Sequence, residues 1–333
     1  YMQRLPVKSI MVTGTNGKST TCKLIQHVLR TNKMNAQLGG NIGKPILDLE
    51  IKKNTIVIIE ASSFQLSYLK FVKPTFAVIL NITKDHLDWH GTVKNYQDSK
   101  FNIFSKQDKK DHALLGKEDH IAKFKRNFFK SKLVKVQASV DKNFKKLIIN
   151  KYLLSKSNLE NVSFVYKLSI ILKIKKNIIL KGLNNFKGLS HRNEIFYQKR
   201  GIVFINDSKA TSFEATQHAL KENKNIFWIV GGLPKLNDKF KLYDVKKNII
   251  RSYIVGKNIN YFKKQIGRMV EYNPSFTIEK ALQNIIKDLF LLNQKQATIL
   301  LSPASASYDQ FNNFAERGNH FKKLTLKYAR KFL

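Results

Sequence analysis

Lys8-Ser-Ile-Met-Val-Thr-Gly-Thr-Asn-Gly-Lys-Ser-Thr20 decides how this chain is read. Its β-branched start stops at Gly14-Thr15-Asn16-Gly17-Lys18-Ser19-Thr20, and a helical spacing of apolar residues follows at Leu24, Ile25, Val28 and Leu29. Strand, glycine turn and helix together aim backbone N–H groups and the positive helix end at a phosphate. Lys18 would then reach the β- and γ-phosphates of a nucleotide, and the Ser19 hydroxyl would sit on Mg²⁺. The first glycine of the common G-x-x-x-x-G-K-[ST] pattern falls at Val12, so the loop is a variant. A pattern this short also occurs in structural glycine turns, and the rest of the chain must choose.

Working outward, Thr55-Ile-Val-Ile-Ile-Glu60 is a continuous apolar run ending in a carboxylate. Such runs suit a strand buried on both faces of a parallel sheet, and the end of such a strand is where these sheets place their chemistry. Glu60 is read as a metal ligand, with a helix cap as the plainer role. Phe76-Ala-Val-Ile-Leu80 repeats the pattern and runs into Asn81-Ile-Thr-Lys-Asp85-His86, which makes His86 a ligand or a structural histidine. Tyr96 and Lys100 follow at i,i+4 on one helix face. Spacing alone leaves Lys100 an ordinary solvated lysine. Gly39-Gly-Asn-Ile-Gly43 reads as a turn near a ligand or another backbone. Residues 105–150 read as irregular structure with small strands at 113–115 and 133–136, and a helix is expected from Ser157, with Asn158 able to cap it.

Composition sets the outer limits. A chain of 333 residues can form two domains. It has no apolar run long enough to span a bilayer and no signal peptide, so a soluble cytoplasmic protein without membrane insertion is expected. One cysteine, Cys22, excludes an intrachain disulfide and is expected in the core. The net charge of +37 invites a nucleic-acid reading. The lysines are spread along the chain with no confined basic stripe, however, so no specific nucleic-acid partner is expected. The positive field favours anionic substrates such as nucleotides.

Beyond a connection at 183–190, the strand-then-polar-turn theme returns. Strands are expected at 201–206, 226–231, 252–256 and 297–301. Helices are expected from about Ser212, from Thr277 to Leu292, and from Asp309. Alternation of this kind means a second α/β layer structure with a mostly parallel sheet.

Seven blocks now stand in one order: Gly14–Thr20, Gly39–Gly43, Glu60–Leu66, Asn81–Asp88, His191-Arg192, Asn206–Thr211, and Leu301–Phe311 continuing into Phe314 and Arg317-Gly318. This order resembles the Mur ligases of peptidoglycan synthesis, and within them the branch that adds D-glutamate to UDP-N-acetylmuramoyl-L-alanine. The resemblance implies an α/β chain: a P-loop-containing central ATPase domain with a parallel sheet (1–187), then a Rossmann-like α/β C-terminal domain (188–333). It implies ATP and Mg²⁺ as cofactors and a monomer. Gly14, Thr15, Asn16, Gly17, Lys18, Ser19, Thr20, Asn158, Asn161, Arg192 and Asp207 match ATP contacts. Ser19, Glu60, His86 and a carbamylated Lys100 match metal ligands, and Lys18, His86 and Lys100 are the catalytic set. Lys209, Thr211, Lys235, Ser307 and Phe314 match the D-glutamate pocket, while Asn41 and Ser62 match the muramoyl side. Ligation would pass through an acyl phosphate, with closure about residues 183–190. The family also carries an N-terminal UDP-binding domain of roughly ninety residues, an ordinary domain size. With the phosphate loop at residue 14 and Tyr1 in first place, that domain is expected outside this chain, as for a fragment of a longer protein. Three departures stand out: the missing domain, Ser155-Lys-Ser157 where relatives carry glycine and histidine, and Gly231-Gly-Leu-Pro-Lys235. Other readings are a folylpolyglutamate synthase-like amide ligase and a truncated, inactive ligase that only binds ATP.

Overall fold

A computed structural model describes residues 7–116, 129–235 and 238–332. It divides into two compact units, Tyr1–Gly188 and Leu189–Leu333. In the first, β1 (Lys8–Thr13) leads through the glycine loop into α1 (Lys18–Thr31), followed by β2 (Ala36–Gly40) and β3 (Ile56–Glu60). Next come α2 (Ser63–Tyr68), β4 (Phe76–Ile79), α3 (Leu87–His90) and α4 (Val93–Phe101). β5 (His112–Gly116), β6 (Lys132–Val136), α5 (Lys142–Lys146), α6 (Lys156–Ile171) and α7 (Lys176–Asn184) complete the unit.

The strands form one sheet in the order β2-β3-β1-β4-β5-β6. Every pairing is parallel, so all the C-terminal ends open on one edge. Apolar clusters cover both faces. On one side α1 contributes Cys22, Leu24, Ile25, Val28 and Leu29 against Val162, Val165 and Leu168 of α6. On the other, Leu66, Tyr96 and Phe101 pack on Val57, Ile59, Ala77 and Ile79. Burial from both sides is why β3 reads as an unbroken apolar run.

The second unit contains β7 (Glu194–Lys199), β8 (Ile202–Asn206), α8 (Phe213–Glu222), β9 (Ile226–Gly231) and β10 (Ile249–Val255). It continues with α9 (Ile259–Ile266), β11 (Tyr272–Phe276), α10 (Ile278–Leu291), β12 (Ala297–Leu301) and α11 (Phe314–Phe332). The sheet order is β11-β10-β9-β12-β8-β7, and only β7 runs antiparallel to its neighbour.

Several local expectations are corrected. Gly39 and Gly40 end a strand, and only the residues after them turn. The pieces at 113–115 and 133–136 belong to β5 and β6, full members of the main sheet; residues 117–128 of the same stretch lie outside the described ones. β11 has no clear strand signal in the sequence because Pro274 interrupts it, which an edge strand tolerates. The last helix begins at Phe314, not Asp309. Asp309 accepts a hydrogen bond from Lys257 N (3.0 Å), Gln310 Nε2 donates to Phe276 O (3.1 Å), and Asn313 Oδ1 accepts Glu316 N (2.9 Å) in the manner of a cap. Likewise α6 starts at Lys156 on a Ser155 cap, so Asn158 is not its cap.

Candidate active site

At the C-terminal edge of the first sheet, the phosphate loop is pinned to the turn after β4. Thr15 N donates to Asn81 O and Asn16 N to Asn81 Oδ1, both at 2.9 Å. Thr83 N donates to Thr15 Oγ1 at 2.9 Å, and the Tyr96 hydroxyl lies 2.9 Å from the same oxygen. Gly17, at φ +83°, caps α1, and a Cβ there would overlap Asn161 Oδ1. Asn161 is buried, and its amide donates to Asn158 Oδ1 (3.2 Å), whose own amide donates to Tyr152 O (2.7 Å). Thus Asn161 of α6 is brought to the loop, with Asn158 behind it. Lys18 Nζ donates to Gly14 O and Thr15 O, each at 2.8 Å, and so lies along the loop it would serve. Ser19 and Thr20 are buried in the first turn of α1.

Glu60 is 2% exposed at the end of β3. Its Oε1 accepts from Asn41 Nδ2 at 3.2 Å, and its Oε2 has no hydrogen-bond partner. A buried carboxylate oxygen without a donor is costly, and a cation relieves it. Among the described residues no three His, Cys, Asp or Glu side chains converge on one point. A divalent ion here would therefore draw on hydroxyl, carbamate or phosphate oxygens as well. This donor set is hard, as Mg²⁺ prefers.

Lys100 is 1% exposed. Its Nζ donates to Gly14 O at 2.9 Å, lies 3.5 Å from Thr13 Oγ1, and sits 4.7 Å from the Tyr96 ring centre. Burial, then the charge of Lys18, lowers its pKa to about 7, against the opposing pull of Asp85. The amine is then far more readily neutral near pH 7 than an exposed lysine. His86 stands exposed on the αL turn before α3, with Nε2 3.5 Å from Asp85 Oδ2 and its ring 4.8 Å from Phe64. Ser62 is engaged in a capping box with Gln65 at the start of α2. Cys22 is fully buried in the core, and burial raises its thiol pKa.

In the second unit, Asp207 follows β8. Its Oδ2 lies 2.7 Å from Ser302 Oγ, and its Oδ1 accepts Asn193 N at 3.0 Å. Burial raises its pKa to about 6, against the lowering pull of Arg192 and His218. Arg192 Nε is buried without a hydrogen-bond partner, and the charge of Arg192 is felt at Asp207. Lys209 Nζ lies 5.0 Å from the Phe314 ring centre, and Lys209 N donates to His191 O at 3.0 Å. A two-way backbone bridge joins Leu233 to Ala306, which sets the segment leading to exposed Lys235 beside buried Ser307. Thr211 is half-buried just before the Ser212 cap of α8.

Two residues gain weight only in three dimensions. Arg317 is buried and donates to Ser208 Oγ (2.9 Å), Ser208 O (2.8 Å) and Ser305 O (3.0 Å), and burial lowers its pKa to about 10. It ties the Asp-Ser-Lys turn to the Ser-Pro-Ala loop. The spacing from Phe314, i to i+3 on one helix, was the available signal. Tyr96 holds the phosphate loop by its hydroxyl and covers Lys100 with its ring.

A phosphate loop closing the first strand of a parallel sheet, beside a buried acid and a desolvated lysine, defines a nucleotide-binding α/β protein. Residues 12–187 match the Mur ligase middle domain. The chain is 35% identical to the UDP-N-acetylmuramoylalanine–D-glutamate ligase of Rhizobium meliloti (strain 1021), covering 94% of this chain and 72% of that protein. It is 34% identical to the ligase of the same name from Rickettsia felis, over 96% of this chain and 75% of that protein. The MurF ligase of Thermotoga maritima, solved in complex with ADP, shares the fold at a TM-score of 0.67 and 16% identity, covering 99% of this chain and 82% of that one. The chain belongs to the Mur ligase family.

Proposed function

We propose that this protein ligates D-glutamate to UDP-N-acetylmuramoyl-L-alanine at the expense of ATP. The observation that carries the reading is local: one phosphate loop has beside it a buried carboxylate with an unpaired oxygen and a buried lysine whose pKa is lowered to about 7. Similarity to ligases of that name over both units supports the choice of substrates.

In this reading the L-alanyl carboxylate attacks the γ-phosphorus of ATP, ADP leaves, and an acyl phosphate forms. The amine of D-glutamate then attacks the acyl carbon, inorganic phosphate leaves, and the amide proton balance is closed by loss of one proton. Lys18 offsets the repulsion between carboxylate and triphosphate, and the backbone N–H groups of Gly14–Thr20 hold the phosphates. Asn158 and Asn161 are assigned to the nucleoside, and Arg192 and Asp207 to the nucleotide. Ser19, Glu60 and His86 would hold Mg²⁺, which supplies charge neutralisation on the transferred phosphoryl group. The neutral fraction of Lys100 can add to CO₂, losing a proton to give a carbamate that serves as a further anionic ligand. Lys209, Thr211, Lys235, Ser307 and Phe314 form the amino-acid pocket, whose lysines match the carboxylates of glutamate; Asn41 and Ser62 serve the muramoyl side. The protein acts in the cytoplasm as a monomer.

Phosphate release by the natural full-length protein tests the proposal, with ATP, Mg²⁺ and UDP-N-acetylmuramoyl-L-alanine plus D-glutamate, L-glutamate, L-lysine or meso-diaminopimelate. Release that requires D-glutamate and disappears in Lys18→Ala is expected. Release with another amino acid would keep the ligation and overturn the pocket; no release with any of them would overturn the reading.

A further inference from the structure

The apolar stripe of α10 (Ile278, Ala281, Leu282, Ile285, Ile286, Leu289) is buried, but the helix does not end there. Phe290, Leu291 and Leu292 follow, and they are 64%, 80% and 42% exposed. Successive residues on a helix are about 100° apart, so Phe290 projects from the flank of the stripe and Leu291 from the side opposite it. Lys287, exposed and four residues before Leu291, shares that side.

The parallel sheet gathers more cations around this apolar tip. Ala297 N donates to Gly201 O (3.4 Å), Thr298 N to Asn225 O (3.0 Å), and Asn225 Nδ2 to Gln296 O (3.2 Å). These bonds set the starts of β8, β9 and β12 side by side and place exposed Arg200, Lys224 and Lys295 on one rim. None of Arg200, Lys224, Lys287 and Lys295 forms an ion pair among the described residues. The carboxylates nearest in sequence are engaged elsewhere: Asp288 by Tyr253 and Arg251, Glu222 by His218 and Asn193.

We propose that this rim docks on the surface of a membrane containing anionic lipid. Phe290, Leu291 and Leu292 enter the headgroup level, and the four cations around them meet lipid phosphates. The protein lies on such a membrane and does not span it; no described helix is long and apolar enough to cross one. A second copy of the chain would bring the same positive charges against this face. Nucleic acid would satisfy the cations but leave the apolar trio without a partner. Asp207, Lys209 and Ser307 sit at the opposite, C-terminal ends of the strands, so adsorption leaves them open.

The test is flotation of the natural full-length protein with vesicles of phosphatidylcholine alone, or of equimolar phosphatidylglycerol and phosphatidylcholine. Ionic strength is held at about 0.1 M, where the screening length is about 10 Å. Partition into the anionic vesicles only is expected. The pair Phe290→Ser, Leu291→Ser lowers it about tenfold or more while leaving retention on duplex DNA and the melting temperature unchanged. The pair Arg200→Gln, Lys295→Gln lowers it about 25-fold, each interfacial cation counting for a factor of about five. Absence of partition into anionic vesicles would overturn the proposal. So would unchanged partition of the serine pair, or an equal loss from Lys142→Gln with Lys145→Gln on the other unit. DNA retention without vesicle partition would assign the rim to nucleic acid.

Discussion

Replacing Lys100 by Met leaves an uncharged chain of similar length in a site only 1% exposed. In the natural protein, burial and then Lys18 bring the amine from the ordinary 10.5 to about 7. Between those values the unfolded chain carries a proton that the folded chain lacks. Stability therefore rises with pH across that window and is lost as pH falls toward 7. From about pH 9 to about pH 6, the part of the window crossed is roughly two pH units, worth about 2.7 kcal/mol. Methionine has no such dependence. The stability of Lys100→Met relative to the natural protein should thus be higher at about pH 6 than at about pH 9 by about 2–3 kcal/mol. A roughly constant loss of about 1 kcal/mol for the bond to Gly14 O cancels from that comparison. Urea unfolding in CO₂-free buffer measures it. The chain has two tryptophans, Trp89 and Trp228, so a Trp228→Phe background makes Trp89 fluorescence report the first unit. A difference that stays constant between the two pH values would mean that the ammonium is as well satisfied folded as unfolded, contrary to its burial.

Three further outcomes are expected. Gly17→Ala combines positive φ with a clash on Asn161 Oδ1; it should cost about 1–3 kcal/mol and lower ATP affinity by tenfold or more in calorimetric titration. Ser302→Ala removes a hydrogen bond that favours ionised Asp207. The Asp207 midpoint should rise above about 6 by about 1–2 units, read by carboxyl NMR titration, with the acid limb of kcat/KM for ATP moving the same way. A fixed midpoint would show that the Ser302 bond does not stabilise the carboxylate. Gly318→Ala places a Cβ against His191 Nδ1 and the Asn206 amide; thermal melting should show a loss of about 1–3 kcal/mol in the second unit, and an unchanged midpoint would mean that the ring moves aside freely.

The phosphate loop and the strands around it could be read from the sequence because their signals are local. A β-branched run, a glycine that must take positive φ, and a 3.6-residue apolar period each depend on neighbours in the chain. The same holds for the buried stripe of α10. Local signals fell short where long-range partners decide: the small strands expected at 113–115 and 133–136 become full members of the main sheet only by pairing, and the last helix starts later than Asp309 because Asp309 and Gln310 bond elsewhere. Lys100 is one of 60 Lys and Arg residues, and its spacing matches any solvated lysine. Only the fold removes water from it and sets Lys18 and Tyr96 beside it. The basic rim likewise gathers Arg200, Lys224 and Lys295 from three separate stretches. By itself the sequence determined where the chain turns toward phosphate and which faces are apolar, since backbone torsion and periodicity are properties of adjacent residues. Tertiary structure alone decided which charges are desolvated and which meet, since dielectric surroundings and Coulomb partners belong to residues far apart in the chain.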